Sequence, residues 1–459
     1  MLIITLFCLL LTLASCSASG GENSGVGTRI VLTKESITAS STNGKYSIFV
    51  VAMDPWTATT TSDWIVLNTS EGEAGTKEFQ FSVLASEESA ERNGTIEFKS
   101  KLYNSTTLLQ VRQLSFTPDC EISPSALTFS WSGGSQEVTV AANYEYEISE
   151  SADWLTIERT TNGFKAIATL NSENSTRTTT ISIVGEKYNI TNSIVVSQSA
   201  NSMSKTSGWA EMPAMVAGDN LEYCTHDKLP SNNKLRNYSF CFDKEKHCAL
   251  WVAYPLHKCY TEGNGERTDA WSFDPCCIDD NYEPYLRNAY YPQGGSSYSH
   301  SRGHQLPSAD RLASNEDNAT TFYYTNMTPQ LQSLNGGTWA ALEDDLRKDW
   351  MCSDTLYVVT GAHFEKGYGY AYDNKGAGKA CAVPTHYYKV ILRTKKGNSG
   401  KWVGNCSADE LKCVGFWFEH KGGAPRQTMS VTDIKKKTGI EFFKNVPNAP
   451  KSVYNASEW

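Results

Sequence analysis

The sequence predicts a multidomain chain: two all-β immunoglobulin-like sandwiches followed by an α+β domain. Three observations carry this. A repeat with an offset of about 85 to 90 residues, the size of one small sandwich, occupies the first part of the chain. The excess of acid stops near residue 204, and ten of the 13 cysteines lie beyond it.

The chain of 459 residues opens on a short apolar run, Leu2 to Ala14. It is too short to span a bilayer and reads as the core of a signal peptide. It runs into Leu13-Ala14-Ser15-Cys16, which resembles a bacterial lipobox. That resemblance implies a leader over 1–16, lipidation at Cys16, and an exported protein tethered to the outer membrane or cell surface.

The sandwiches are expected at 27–117 and 120–200. "TTTSDWIVLN" around Trp64 matches "SESADWLTIE" around Trp154, "ERNGTIEF" matches "STRTTTISI", and "LLQVRQLS" matches "SIVVSQSA". These stretches are rich in Thr, Val and Ile, alternate apolar with polar, and break at Asn-Gly and Gly-Gly turns. The Asp-Trp step, the later Arg and the closing Gln resemble the BACON-type domain, which implies a spacer with possible glycan binding. Trp64 and Trp154 are candidate sugar-stacking rings, although a Trp in a repeated strand is more often core.

The α+β domain is expected over 206–450. Strand-length apolar runs occur at 247–256, 355–364, 385–393 and 413–420. Residues 336–351 place Trp339, Leu342, Leu346 and Trp350 on one helix face, and "VTDIKKKTGIEFFKNV" reads as a second short helix. Up to residue 204 there are 12 basic and 21 acidic residues; beyond it there are 29 of each, consistent with the net charge of −9. The domain is therefore no strongly basic polyanion binder, and any nucleic-acid contact rests on a local patch. In an exported chain its ten cysteines, from Cys224 to Cys413, are expected to form disulfides rather than a zinc cluster.

Chemistry concentrates between residues 267 and 343. "SRGHQLPSADR" carries Arg302 and His304, and "TNMTPQLQSLNGGTWAALE" carries Asn326, Gln330, Asn335 and Glu343. Taken singly, each has a bland account: Asn335 before two glycines would be a helix N-cap, and His304 a loop histidine. Together they resemble the DNA/RNA non-specific endonucleases of the ββα-metal type. That family joins an Asp-Arg-Gly-His motif to Asn-x-x-Pro-Gln-x-x-x-x-Asn-x-x-x-Trp-x-x-Leu-Glu. Asn326, Pro329, Gln330, Asn335, Trp339, Leu342 and Glu343 match in register, while Ser301 stands where Asp is commoner.

The resemblance implies an exported endonuclease that hydrolyses DNA and RNA with Mg²⁺, for which Mn²⁺ substitutes. His304 would be the general base, suited by an imidazole that is largely neutral at slightly alkaline pH. Asn335 would be the protein ligand to a hard ion that keeps most of its waters. Glu343, eight residues on and roughly 12 Å along a helix, would hold those waters. Arg302 and Arg267 would grip the phosphate, and Asn326 and Gln330 would position substrate. The alternative is a glycan-binding surface protein on a degenerate nuclease scaffold.

Overall fold

The computed structural model describes residues 29–276, 278, 279, 281–375 and 378–459. Cys16, the leader and Cys277 lie outside the described residues. The chain divides into two compact units at Asp119/Cys120.

The first unit is a sandwich of a four-stranded and a five-stranded sheet. Period-2 alternation turns Ile48, Val50, Phe79, Phe81, Ile96 and Phe98 inward from the long strands Gly44–Ala52, Gly75–Val83 and Arg92–Ser100. Trp64 is buried, with the Arg92 guanidinium 4.7 Å above its ring. Arg92 Nε donates to Gln113 Oε1 at 2.7 Å, and Gln113 Nε2 donates to the carbonyls of Ser40 and Leu84, each at 2.9 Å.

The second unit begins with another sandwich, built from two four-stranded sheets, and it repeats this brace. Arg177 sits 4.6 Å over buried Trp154, its Nε donates to Gln198 Oε1 at 2.8 Å, and Gln198 Nε2 donates to Ser130 and Thr169 carbonyls at 3.0 and 2.8 Å. The repeated Trp, Arg and Gln are therefore structural. Neither tryptophan presents a ring to a sugar.

Within this unit the sandwich is built into the domain that follows. Trp131, 3 % exposed, packs 5.4 Å from Tyr223 in a core that includes Met203, Met212, Trp251 and Trp417. Asp219 accepts from the Ser135 amide and, at 2.8 Å, from its hydroxyl. Gly134, at φ +122°, allows this approach, because a Cβ there would lie 2.9 Å from Asp219 Oδ1.

The remaining domain centres on a seven-stranded antiparallel sheet. The four apolar runs become the adjacent strands Cys248–Leu256, Leu356–His363, His386–Thr394 and Leu411–Glu419. Leu221–His226 and Tyr238–Asp243, unmarked by long apolar runs, extend the sheet on one side. Trp339, Leu342, Leu346 and Trp350 are buried against one face. Val431–Thr438 lies on the other, with Ile434 buried and a Cβ at Gly415 only 2.4 Å from it. That helix is shorter than expected: Gly439 ends it at φ +76°, and Phe442, Phe443 and Val446 enter the core as irregular chain.

The expectation of ten paired cysteines is corrected. Cys224 is disulfide-bonded, but Cys241, Cys248, Cys259, Cys352, Cys381, Cys406 and Cys413 are free thiols. Most sit within the packed cores as small apolar side chains, and burial pushes the thiols of Cys241, Cys248 and Cys413 up, away from the reactive thiolate.

Candidate active site

Strand Ser301–His304 pairs antiparallel with Met327–Gln330, placing Arg302 opposite Pro329 and His304 opposite Met327. The chain then turns at Leu331 into helical segments Gln332–Leu334, Asn335–Trp339, Ala340–Asp345 and Leu346–Trp350. Two strands and a helix thus carry the whole motif. Gly303 is required here, since a Cβ would fall 2.5 Å from Gln330 Oε1. Ser301 tethers the ribbon to the helix, its hydroxyl donating to Gln332 Oε1 at 2.5 Å.

Alternation puts Arg302 and His304 on one face of the strand. The His304 ring lies edge-to-face against Trp271 (5.6 Å) and Phe322 (5.1 Å), and its Nε2 is buried without a protein partner among the described residues. Burial, then the charge of Arg267, holds its pKa down at about 3, so the ring is neutral at physiological pH. The Arg302 guanidinium lies 3.5 Å over the Trp271 ring, and its Nη1 donates to the Leu286 and Arg287 carbonyls at 3.1 and 2.8 Å. Arg267 is exposed, bonded to Asp269 and, at 3.1 Å, to the Ser308 hydroxyl.

Asn335 stands inside the helical run, with φ −54° and ψ −50°, and its backbone N–H donates to the Leu331 carbonyl at 2.9 Å. It caps no helix with its side chain, so the bland account fails. The following turn is irregular, with Gly337 at φ −110°, ψ −119°. Arg267, Trp271, Ala289, Ser301, Arg302, Gln332 and Asn335 line one cavity of about 220 Å³. The structure thus brings both arginines and Asn335 to one cleft, beside His304.

Three expected residues lie elsewhere. Asn326 is fully buried: its Oδ1 accepts from the Leu306 amide at 2.8 Å and its Nδ2 donates to the Leu306 and Thr321 carbonyls at 2.9 and 2.8 Å. Its amide is committed to the loop after His304, and Asn326 does not line the cleft. Gln330 is 1 % exposed and packs on Gly303, its amide unpartnered among the described residues. Glu343 does not line the cleft but pairs with buried Lys389, Oε1 to Nζ 3.8 Å, and Lys389 donates to Thr360 Oγ1 at 2.8 Å. Burial raises the Glu343 carboxyl and lowers the Lys389 ammonium.

Residues not singled out from sequence complete the site. Trp271, four residues after Arg267, carries Arg302, a pairing that no local spacing signals. His420 accepts at Nε2 from the Leu331 amide (2.8 Å) and donates from Nδ1 to the Pro384 carbonyl. It secures the turn that leads to Asn335.

Among the described residues no group of three or more His, Cys, Asp or Glu side chains is placed to hold a metal ion. The cleft's donor is instead the neutral amide oxygen of Asn335, in a polar cavity with room for water. That set fits a hard divalent cation held mainly through its own waters.

Comparison with known proteins agrees with this geometry. Residues 223–449 match the DNA/RNA non-specific endonuclease family. Residues 54–114 match the BACON binding domain and 119–201 the viral BACON domain. A nuclease of a Nostoc species is 30 % identical over 243 residues, covering 50 % of this chain and 80 % of the relative. The nuclease of Serratia marcescens is 34 % identical over 206 residues, 44 % of this chain and 70 % of the relative. Human mitochondrial endonuclease G is 30 % identical over 230 residues, 48 % and 72 %.

Proposed function

We propose, because this chain belongs to the DNA/RNA non-specific endonuclease family, that it hydrolyses phosphodiester bonds of both DNA and RNA with Mg²⁺, or Mn²⁺ in its place. The observation that carries this is one cleft lined by Arg267, Arg302 and Asn335 beside a neutral, buried His304 with an unpartnered Nε2.

A neutral imidazole with a free nitrogen accepts a proton, so His304 removes one from the attacking water. Trp271 and Phe322 fix the ring's orientation. Arg302 spends Nη1 on two carbonyls, which aims the rest of its fork at the phosphate. Arg267, exposed at the rim, adds a second positive charge. Asn335 would hold the ion, and Glu343 would have to turn from Lys389 toward the cleft to meet the ion's waters. The ion, when bound, neutralises the phosphate and stabilises the leaving 3′ oxygen. Asn326 and Gln330 keep the ribbon in place.

Export and lipidation at Cys16 belong to the same reading, supported by the apolar leader; Cys16→Ser should release the protein from the membrane fraction. Glycan binding by the first sandwich would have to use its exposed rings, Phe49 and Tyr103, since Trp64 and Trp154 are buried. The deciding assay incubates the protein with plasmid DNA and with RNA, each with Mg²⁺ and with EDTA. Both should be cut with Mg²⁺ alone. Full activity in EDTA, or none with Mg²⁺, overturns the reading.

A further inference from the structure

We infer that Phe273 and Tyr285 form a stacking platform for unpaired nucleobases, through which the enzyme engages single-stranded nucleic acid beside its cleft. This rests on the nuclease reading above and names the form of substrate.

The two rings are 36 % and 46 % exposed, neighbours at 5.9 Å between centroids with 36° between their planes. Each meets the buried Tyr324 ring at a steep angle, 81° for Phe273 at 5.2 Å and 75° for Tyr285 at 5.9 Å. The pair is held from below. The Tyr285 amide donates to Asp373 Oδ2 at 2.8 Å, and the Asp274 amide donates to the buried Glu283 carboxylate at 2.9 Å. Two adjoining aromatic side chains kept in water on a firm base mark a contact surface rather than packing.

Their position identifies the occupant. Leu286 and Arg287, the residues after Tyr285, supply the carbonyls that hold Arg302 Nη1. Trp271, two residues before Phe273, lies under the same guanidinium. A strand whose phosphate is gripped by Arg302 therefore has its neighbouring nucleotide within reach of the platform, and exposed Arg287 adds positive charge along the way. The faces of paired bases are already stacked inside a duplex. Only unpaired bases can lie on these rings, and any base serves because every base has a π-face.

The test compares kcat/KM, with Mg²⁺, on one sequence as a single strand, as a duplex, and as an abasic single strand. Wild type is set against Tyr285→Leu and Phe273→Leu/Tyr285→Leu, which keep apolar contact with Tyr324 but lose the ring faces. Stacking contributes on the order of 1–3 kcal/mol per base, so each lost ring should lower single-strand kcat/KM about tenfold. Duplex and abasic cleavage should stay within about twofold, and Tyr285→Phe should behave as wild type. Equal loss on all three substrates, or no loss on the single strand, overturns the platform. Loss on the abasic strand as well would assign the surface to the sugar-phosphate backbone and also overturn it. Fluorescence anisotropy of the single strand in EDTA reads the platform without chemistry. A wild type that binds through these rings but cuts nothing would sink the nuclease reading alone.

Discussion

Four glutamines are buried among the described residues, and the two in the sandwiches, Gln113 and Gln198, are treated differently from Gln305 and Gln330 in the nuclease domain. Gln113 and Gln198 each bond an arginine with their oxygen and carbonyls with their nitrogen. Among the described residues neither amide atom of Gln330 has a partner, and Gln305 Oε1 and His304 Nε2 are unpartnered too. An unsatisfied buried polar group costs about 1–3 kcal/mol. The brace avoids that cost by bonding both amide atoms of its glutamine, whereas the nuclease ribbon bears it. The Trp-Arg-Gln repeat therefore reports stability, and the unsatisfied atoms of Gln330 and His304 lie on the ribbon that carries the motif.

The largest effect that tests this contrast is on cleavage. His304→Ala should lower turnover by about two to four powers of ten, the contribution of a positioned general base, while binding and melting temperature stay near wild type. Single-turnover cleavage alongside thermal melting checks it, and near-normal turnover would remove His304 from the mechanism. Asn335→Ala should also lose cleavage, with partial recovery in excess Mg²⁺ or Mn²⁺.

The two sandwiches differ at one seat, and this gives the next effect. Trp131, between strands Ala126–Phe129 and Gly134–Ala142, sits in the nuclease core. The matching position between Ser36–Ala39 and Gly44–Ala52 is Ser41. Trp131→Ala should destabilise the second unit by about 3–5 kcal/mol, and Ser41→Ala should stay within about 0.5 kcal/mol. A chain starting at Cys120 should keep its melting temperature and cleavage. One starting at Asn201 should lose stability, because it strips partners from Tyr223. Equal stability of the two truncations in denaturant would refute the built-in sandwich.

A smaller effect separates the glutamines themselves. Gln198→Ala strands Arg177 and should lower stability by about 1–3 kcal/mol with cleavage unchanged. Gln330→Ala removes an unpartnered amide but loosens the ribbon, so it should affect turnover more than stability. Urea unfolding paired with kcat on plasmid distinguishes the two patterns, and identical behaviour would erase the contrast.

Much of this was legible in the sequence for physical reasons. Period-2 alternation exposed both sandwiches, and apolar runs exposed the four central strands. The fixed spacing from Asn326 to Glu343 exposed the ribbon and helix, because that motif is contiguous. What stayed hidden depends on contacts between distant segments. Trp271 reaches Arg302 across 31 positions, Lys389 reaches the helical Glu343 from a strand of the central sheet, and His420 reaches Leu331 from the far end of the domain. The cysteines misled because even number and export context say nothing of which Cβ atoms face each other, and pairing requires that geometry. For Asn326 the motif records that the residue is needed, and only the fold shows that its amide bonds the loop after His304.

The smallest effect again divides the molecule, this time by pH. All eight histidines lie beyond residue 225, so neither sandwich titrates an imidazole. In the nuclease domain burial lowers His304 to about 3 and His420 to about 4, against an unfolded value near 6.5. Both are therefore neutral in the folded protein at pHs where the unfolded chain would protonate them. Between about 6.5 and 4 the unfolded state binds more protons, so stability is full above 6.5 and falls as pH drops, by at most about 1.4 kcal/mol per pH unit for each group. His420 is locked in this state: its Nε2 must stay bare to accept the Leu331 amide. Melting the full chain from pH 7 to pH 4.5 should move the second unit's transition downward faster than the first unit's. His420→Gln, which keeps an acceptor that does not titrate, should reduce that slope. If both transitions shift together and His420→Gln changes neither, the histidines are not what sets the acid sensitivity of this fold.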